Sequence, residues 1–130
     1  MAGTVRDTAA MITSMDPRLD DQRWCFVSVT PDRAPELLGS ALATFREDEG
    51  VSAIVPAHMG SEGDPVMARI TLMVHSDLEG YGLTAAVSGA LAEAQIACNM
   101  VAALHHDHAF VPVERAQEAL AILRELQGQA

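Results

Sequence analysis

The sequence predicts an α+β protein in which helices cover one face of an antiparallel sheet, and three observations predict it. Residues 69–113 run strand, loop, amphipathic helix, strand, strand without interruption. A second amphipathic stretch follows at 114–126, and the first half adds β-rich runs at 24–30 and 51–56 between acidic, Pro- and Gly-containing turns. The resulting βαββα series is almost the whole of a ferredoxin-like βαββαβ module.

Taken in order, Asp7–Met15 suits a short helix, and Met15–Gln22 reads as a turn region because Pro17 and three acidic residues interrupt the apolar pattern. Trp24–Thr30 is aromatic and β-branched throughout, as strands are. After the break at TPDRAPE, Glu36–Gly39 can open a short helix. Ala41–Glu47 fits a helix by its Ala and Leu content and a strand by its alternation. Glu47–Gly50 is a turn, Val51–Pro56 a strand, and Ala57–Pro65, with two glycines and a proline, a linker. Arg69–His75 begins the better-defined half. The turn His75–Gly82 places two glycines ahead of the helix Leu83–Ala94, whose Leu83, Val87, Ala90, Leu91 and Ala94 form one stripe. Strands within Ala97–His106 and at Ala109–Val113 flank an HHDH turn, and Glu114–Leu126 closes the series with Ala116, Ala119, Leu120, Leu123 and Leu126 on one face. The chain divides near residue 65, into 1–65 and 66–130. The second half lacks a closing strand and the first lacks a good second helix; six strands are found where two full modules need eight. Either the halves share one sheet or a second chain supplies the missing edge, since an unpaired apolar strand is unfavourable in water.

Bulk properties narrow the function. The 130-residue chain carries a net charge of −10 with eight arginines and no lysine, which argues against nucleic acid and anionic membrane surfaces as partners. No stretch is long and apolar enough to span a bilayer and the amino terminus lacks signal-peptide features, so a cytoplasmic protein is expected. Cys25 and Cys98 fall in predicted strands, outside any CxxC pair, and read as small buried hydrophobes. Met67, Met73 and Met100 read as gap-filling core residues. Neither GxxxxGK[ST], GxSxG nor HExxH occurs, which removes the simplest enzyme assignments.

The segment Ser76–Thr84 carries the chemistry. It leads from a strand end into a helix start, where exposed N–H groups and the helix dipole attract a carboxylate. Gly80 and Gly82 permit close backbone approach, and Gly82, Leu83 and Thr84 would present their N–H groups to an α-carboxylate. Asp77, Glu79 or Asp107 would pair with an α-amino group, so a zwitterion suits the site. The same residues also suit plain helix capping and turn formation. His75, His105, His106 and His108 with Asp107 invite a metal reading, but neighbouring side chains in a turn diverge and no second ligand cluster supports it. No metal or cofactor is expected, and the turn histidines, His106 first among them, are candidates for solvent or ligand contact.

VHSDLEGYGLTAAVSGALAEAQIACNMVAALHHDHAFVPVERAQEAL resembles the carboxy-terminal half of small bacterial tandem ACT-domain proteins, and MDPRLDDQRWCFVSV and FREDEGVSAIVP resemble their amino-terminal half. The turn, GLT and helix are also similar to the tandem ACT modules of aspartate kinases and of the eukaryotic arginine sensors. The resemblance implies a duplicated ferredoxin-like fold with abbreviated or strand-sharing modules, no catalysis, and an amino acid held between two modules for regulation. It adds Glu47, Glu49 and Gly50, from the stretch matching the second module's closing segment, and Asn99 to the ligand-binding candidates Ser76, Asp77, Glu79, Gly80, Gly82, Leu83, Thr84, His106 and Asp107. It also implies side-by-side association, hence a homodimer. The chain departs from the family pattern at Gln95, where Gly is common, and at Leu104 and His105, where an aromatic is usual.

Overall fold

The acidic stretch after Met15 decides the architecture. In the computed structural model, which describes residues 3–130, Pro17 opens a 13-residue strand, β1 (Pro17–Val29), and the turn expected over Met15–Gln22 is confined to its first residues. Proline is tolerated at a strand's first position, and the charges that suggested a turn are accommodated: the Asp20 carboxylate accepts from Arg69 at 2.9 Å while Leu19 packs against apolar neighbours. Asp16 precedes the strand with φ +45, which lets the chain reverse there.

Two compact units result, and β1 enters both. Of the described residues, the first comprises 3–20 with Ala68–Ala130, the second Asp21–Met67. The first unit contains α1 (Thr8–Thr13), β4 (Val66–Leu72), α3 (Leu83–Glu93), β5 (Asn99–Ala102), β6 (Asp107–Pro112) and α4 (Ala116–Gln129). Strand β6 lies between β4 and β5, so the β4–α3–β5 crossover spans the width of one strand, the split βαβ arrangement of a ferredoxin-like module. Pairing of β5 with β6 is antiparallel, from Asn99 opposite Phe110 to Ala102 opposite Asp107. Leu83, Val87 and Leu91 recur every four residues on α3, and Ala116, Ala119, Leu120 and Leu123 line one face of α4. Both stripes bury against Ala68, Ile70 and Leu72 of β4 and Ala109 and Val111 of β6. Met11 and Met15 complete this core. Of the methionines expected to fill gaps, Met100 packs against this core while partly buried, and Met67 and Met73 are half-buried.

The second unit holds the rest of β1, α2 (Ala34–Ser40), β2 (Ala43–Glu47) and β3 (Gly50–Pro56), in the order β2-β3-β1. Ala41–Glu47 is thus resolved in favour of the strand, because pairing with β3 supplies partners that an isolated short helix would lack. Cys25 lies opposite Val55 and Val27 opposite Ala53, and these four bury with Leu37 of α2. Burial and the nearby Asp64 carboxylate raise the Cys25 thiol's pKa, with Arg33 acting weakly the other way.

Three further boundaries differ from expectation. Strand β4 ends at Leu72 rather than His75, because the Met73 amide donates to Met15 O at 2.8 Å, leaving the sheet ladder. Cys98 precedes β5 instead of lying in it and is half-buried. The turn between β5 and β6 lies two residues earlier than HHDH: Asp107 and His108 already belong to β6, paired with Ala102 and Val101.

Candidate functional site

The loop between β4 and α3 is built by its own side chains and by the amino-terminal segment. Asp77 Oδ1 accepts from the Glu79 amide at 2.8 Å, an Asx-type turn, and the Gly80 amide closes onto Asp77 O at 2.9 Å. Val5 lies alongside as a parallel bridge to Ser76: its amide donates to His75 O at 2.6 Å and its carbonyl accepts from the Asp77 amide at 2.9 Å. Thr8 Oγ1 donates to Tyr81 O at 2.6 Å. Gly82 then takes φ +104, in the region that L side chains rarely adopt, and a Cβ there would stand 2.5 Å from Thr8 Cγ2.

Gly82 is the residue before the first turn of α3, and having no side chain it leaves the helix start without a side-chain cap; the first turn carries no acidic residue. The first backbone bond of the helix runs from Ala86 to Gly82 O, so the N–H groups of Leu83, Thr84 and Ala85 have no partner inside the helix. They sit at the positive end of its dipole. A cleft of about 180 Å³ lies here, lined by Met11, Ser76, Asp77, Gly80, Gly82, Leu83, Thr84 and Asp107 together with Leu78, Tyr81 and Ala102. Asp107 is 8% exposed and its Oδ2 accepts from Ser76 Oγ at 3.1 Å. One cleft therefore offers unengaged N–H donors at one place and a buried carboxylate at another, the pairing that a zwitterion requires.

The other expected residues lie elsewhere. Glu79 is exposed and its carboxylate engages Arg6 Nη2 at 3.1 Å. Asn99 is exposed at the start of β5. Glu47, Glu49 and Gly50 line a different cleft, of about 250 Å³, within the second unit, where Glu47 Oε1 accepts from Ser52 Oγ at 2.6 Å. His106, which precedes Asp107, does not line the first cleft: its ring lies 4.8 Å from that of His75, and its Nε2 is buried without a hydrogen-bond partner. Burial lowers its pKa, reinforced by His75 and His105, against a hydrogen bond with the Met73 backbone and the Asp107 charge, which raise it. His108 faces Thr71 Oγ1 at 3.0 Å and is lowered by burial and by Arg69 and His106. Among the described residues no three His, Cys, Asp or Glu side chains are placed to hold a metal ion, and no helix is long and apolar enough to cross a membrane. Sequence reasoning missed Met11 and Thr8, which reach the loop from about 65 to 75 residues away in the chain; the short helix expected over Asp7–Met15 carried no sign of where it packs.

Comparison with known proteins agrees with this geometry. Two ACT-domain family models match the chain, over residues 4–62 and 68–125. A crystal structure of a Vibrio cholerae protein of unknown function, described as a possible transport protein, is 38% identical, with a TM-score of 0.75 over 88% of this chain and 92% of that one. The regulatory subunits of aspartate kinase from Thermus thermophilus, in ligand-free form, and from Thermus flavus share the fold at 11% identity each. Their TM-scores are 0.64 and 0.58, over 87% and 85% of this chain and 97% and 95% of theirs. No protein of curated function matches. The alternation of β4, α3, β5, β6 and α4, repeated in abbreviated form in the first half, identifies the chain as a member of the ACT-domain family, carrying two ACT domains in tandem.

Proposed function

We propose that this protein is a non-catalytic regulator that binds a small zwitterion, an amino acid, in the cleft at the start of α3. The observation that carries the reading is the uncapped helix start facing the same cleft as the buried Asp107 carboxylate. The Leu83, Thr84 and Ala85 amides receive the α-carboxylate. Asp107, oriented by Ser76, receives the α-amino group, and Asp77 shapes the loop through its bond to the Glu79 amide. Binding stabilises the ordered loop, and that population shift is what a partner protein reads. The aspartate kinase regulatory subunits, which share this fold, support a regulatory role. The functional modules are taken as residues 1–65 and 66–130, working in the cytoplasm.

The test is calorimetry and thermal shift against the twenty amino acids, with Asp107→Asn as the control. A ligand of the folded state raises the melting temperature in a concentration-dependent way. Loss of a charge-assisted hydrogen bond costs about 1.5–3 kcal/mol, so Asp107→Asn is expected to weaken the amino acid about tenfold or more. Unchanged affinity in that variant removes Asp107 from the site, and the absence of any amino-acid shift removes the reading.

A second reading, a homodimerising interaction module without a ligand, draws on Phe45. It is 72% exposed on the edge strand β2, an edge that carries neither lysine nor proline to discourage pairing.

A further inference from the structure

Three imidazoles gather at the point where the two arms of the cleft begin. His75 immediately precedes the Ser76–Gly82 loop, while His105 and His106 form the β5–β6 turn directly ahead of Asp107. Ring centroids lie 4.8 Å apart for His75 and His106, 5.4 Å for His75 and His105, and 6.5 Å for His105 and His106. Among the described residues they are not placed as a group that could hold a metal ion. We propose that His106, packed against His75 and His105, is a proton-operated latch, which holds the loop and the β5–β6 turn together while its ring is neutral and drives them apart when it is protonated.

The hydrogen bonding of His106 gives the latch its direction. His106 Nε2 is buried with no hydrogen-bond partner, while the Met73 backbone works to raise the pKa of the ring. A proton added at Nε2 would become a buried donor with nothing to donate to, and a buried unsatisfied donor is disfavoured. It would also place a positive charge beside His75 and His105. The charged and titratable groups that face His106 are His75, His105, His108 and the Asp107 carboxylate, of which Asp107 favours the charged form but is outweighed, since the His106 pKa is lowered. The loop's remaining carboxylates are engaged, Asp77 by the Glu79 amide and Glu79 by Arg6. The closed state therefore holds fewer protons than the open one. Closure is fully favoured above about pH 6.5 and is lost as pH falls from there towards the lowered value of His106.

Two amides report the two arms: Asp77, which donates to Val5 O, and Ala103, which donates to His106 O at 3.0 Å. Hydrogen-exchange protection factors, which already remove the intrinsic pH dependence of exchange, are measured by NMR at pH 7.5 and 5.5. Two unit charges 4.8 Å apart, screened as in water, disfavour the closed state about fourfold, the least the latch should show. Both amides should lose at least that much protection in the wild type, while the Val87 amide in the core does not change. In His75→Gln/His105→Gln the loss should shrink below twofold. A wild type with flat protection, or a double variant that loses as much, overturns the latch. His105→Gln alone, at an exposed position, keeps the test available should the double variant fold poorly, and an undiminished loss there overturns it equally. The proposal rests on the ligand reading only for its consequence, weaker binding in acid. Protection that behaves as stated in a protein binding no amino acid upholds the latch and defeats the ligand reading.

Discussion

Gly82→Ala separates two contributions that meet at the start of α3. The first is conformational: φ +104 is open to glycine but costs an L residue about 1–2 kcal/mol. Alanine recovers part of this by narrowing the unfolded ensemble, about 0.5–1 kcal/mol. The second is steric, because the new Cβ would meet Thr8 Cγ2 at 2.5 Å and Oγ1 at 2.9 Å. Thr8 must then turn away and give up its bond to Tyr81 O, worth about 1 kcal/mol. The sum is a loss of about 2 kcal/mol. By urea unfolding the midpoint should drop with little change in slope. The same substitution in a Thr8→Ala background should cost only about 1 kcal/mol, since the steric partner and its hydrogen bond are already gone. The coupling between the two sites is thus about 1 kcal/mol, read from a double-mutant cycle. Equal costs in both backgrounds would refute the close approach of α1 to the loop, and a neutral Gly82→Ala would refute the backbone argument as well.

Two other substitutions probe different parts of the chain. Gln95 follows α3 with φ +58, and the Gln95 and Ile96 amides donate to Ala92 O and Leu91 O at 2.9 and 3.0 Å, a Schellman ending built on a non-glycine residue. Gln95→Gly is accordingly expected to stabilise the protein by about 0.5–1 kcal/mol in thermal unfolding, and a loss would show that this backbone is not strained. Phe45→Ser, at the exposed edge strand, should change stability by less than about 0.5 kcal/mol. If β2 edges pair in a homodimer, light scattering should find the variant shifted to monomer, and an unaltered mass would exclude Phe45 from that interface.

The helix start Gly82–Thr84, the apolar run of β6 and the stripes of α3 and α4 were legible in the sequence because each is a local pattern: a glycine ahead of an apolar period of 3.6, or a short continuous apolar run. The same holds for Asp107, whose place after three apolar strand positions and a turn kept it close to the loop in the βαββ order. Local pattern also misled where long-range partners overrode it. Pro17–Gln22 reads as a turn until the Asp20–Arg69 ion pair stands beside it, and Ala41–Glu47 stays undecided until β3 provides backbone partners. The sequence by itself determined that the second half runs as a βαββα series of ferredoxin-like type and that a loop entering a helix could take an anion, since both follow from periodicity and backbone chemistry. Only the tertiary structure decided that α1 and the beginning of β1 pack with the second half. That packing sends Thr8 and Met11 to the loop, and the folding of the β5–β6 turn beside His75 brings His105 and His106 to it. These contacts join residues far apart in the chain, and their selection depends on complementary volume and on satisfying buried polar groups, which no local sequence period encodes.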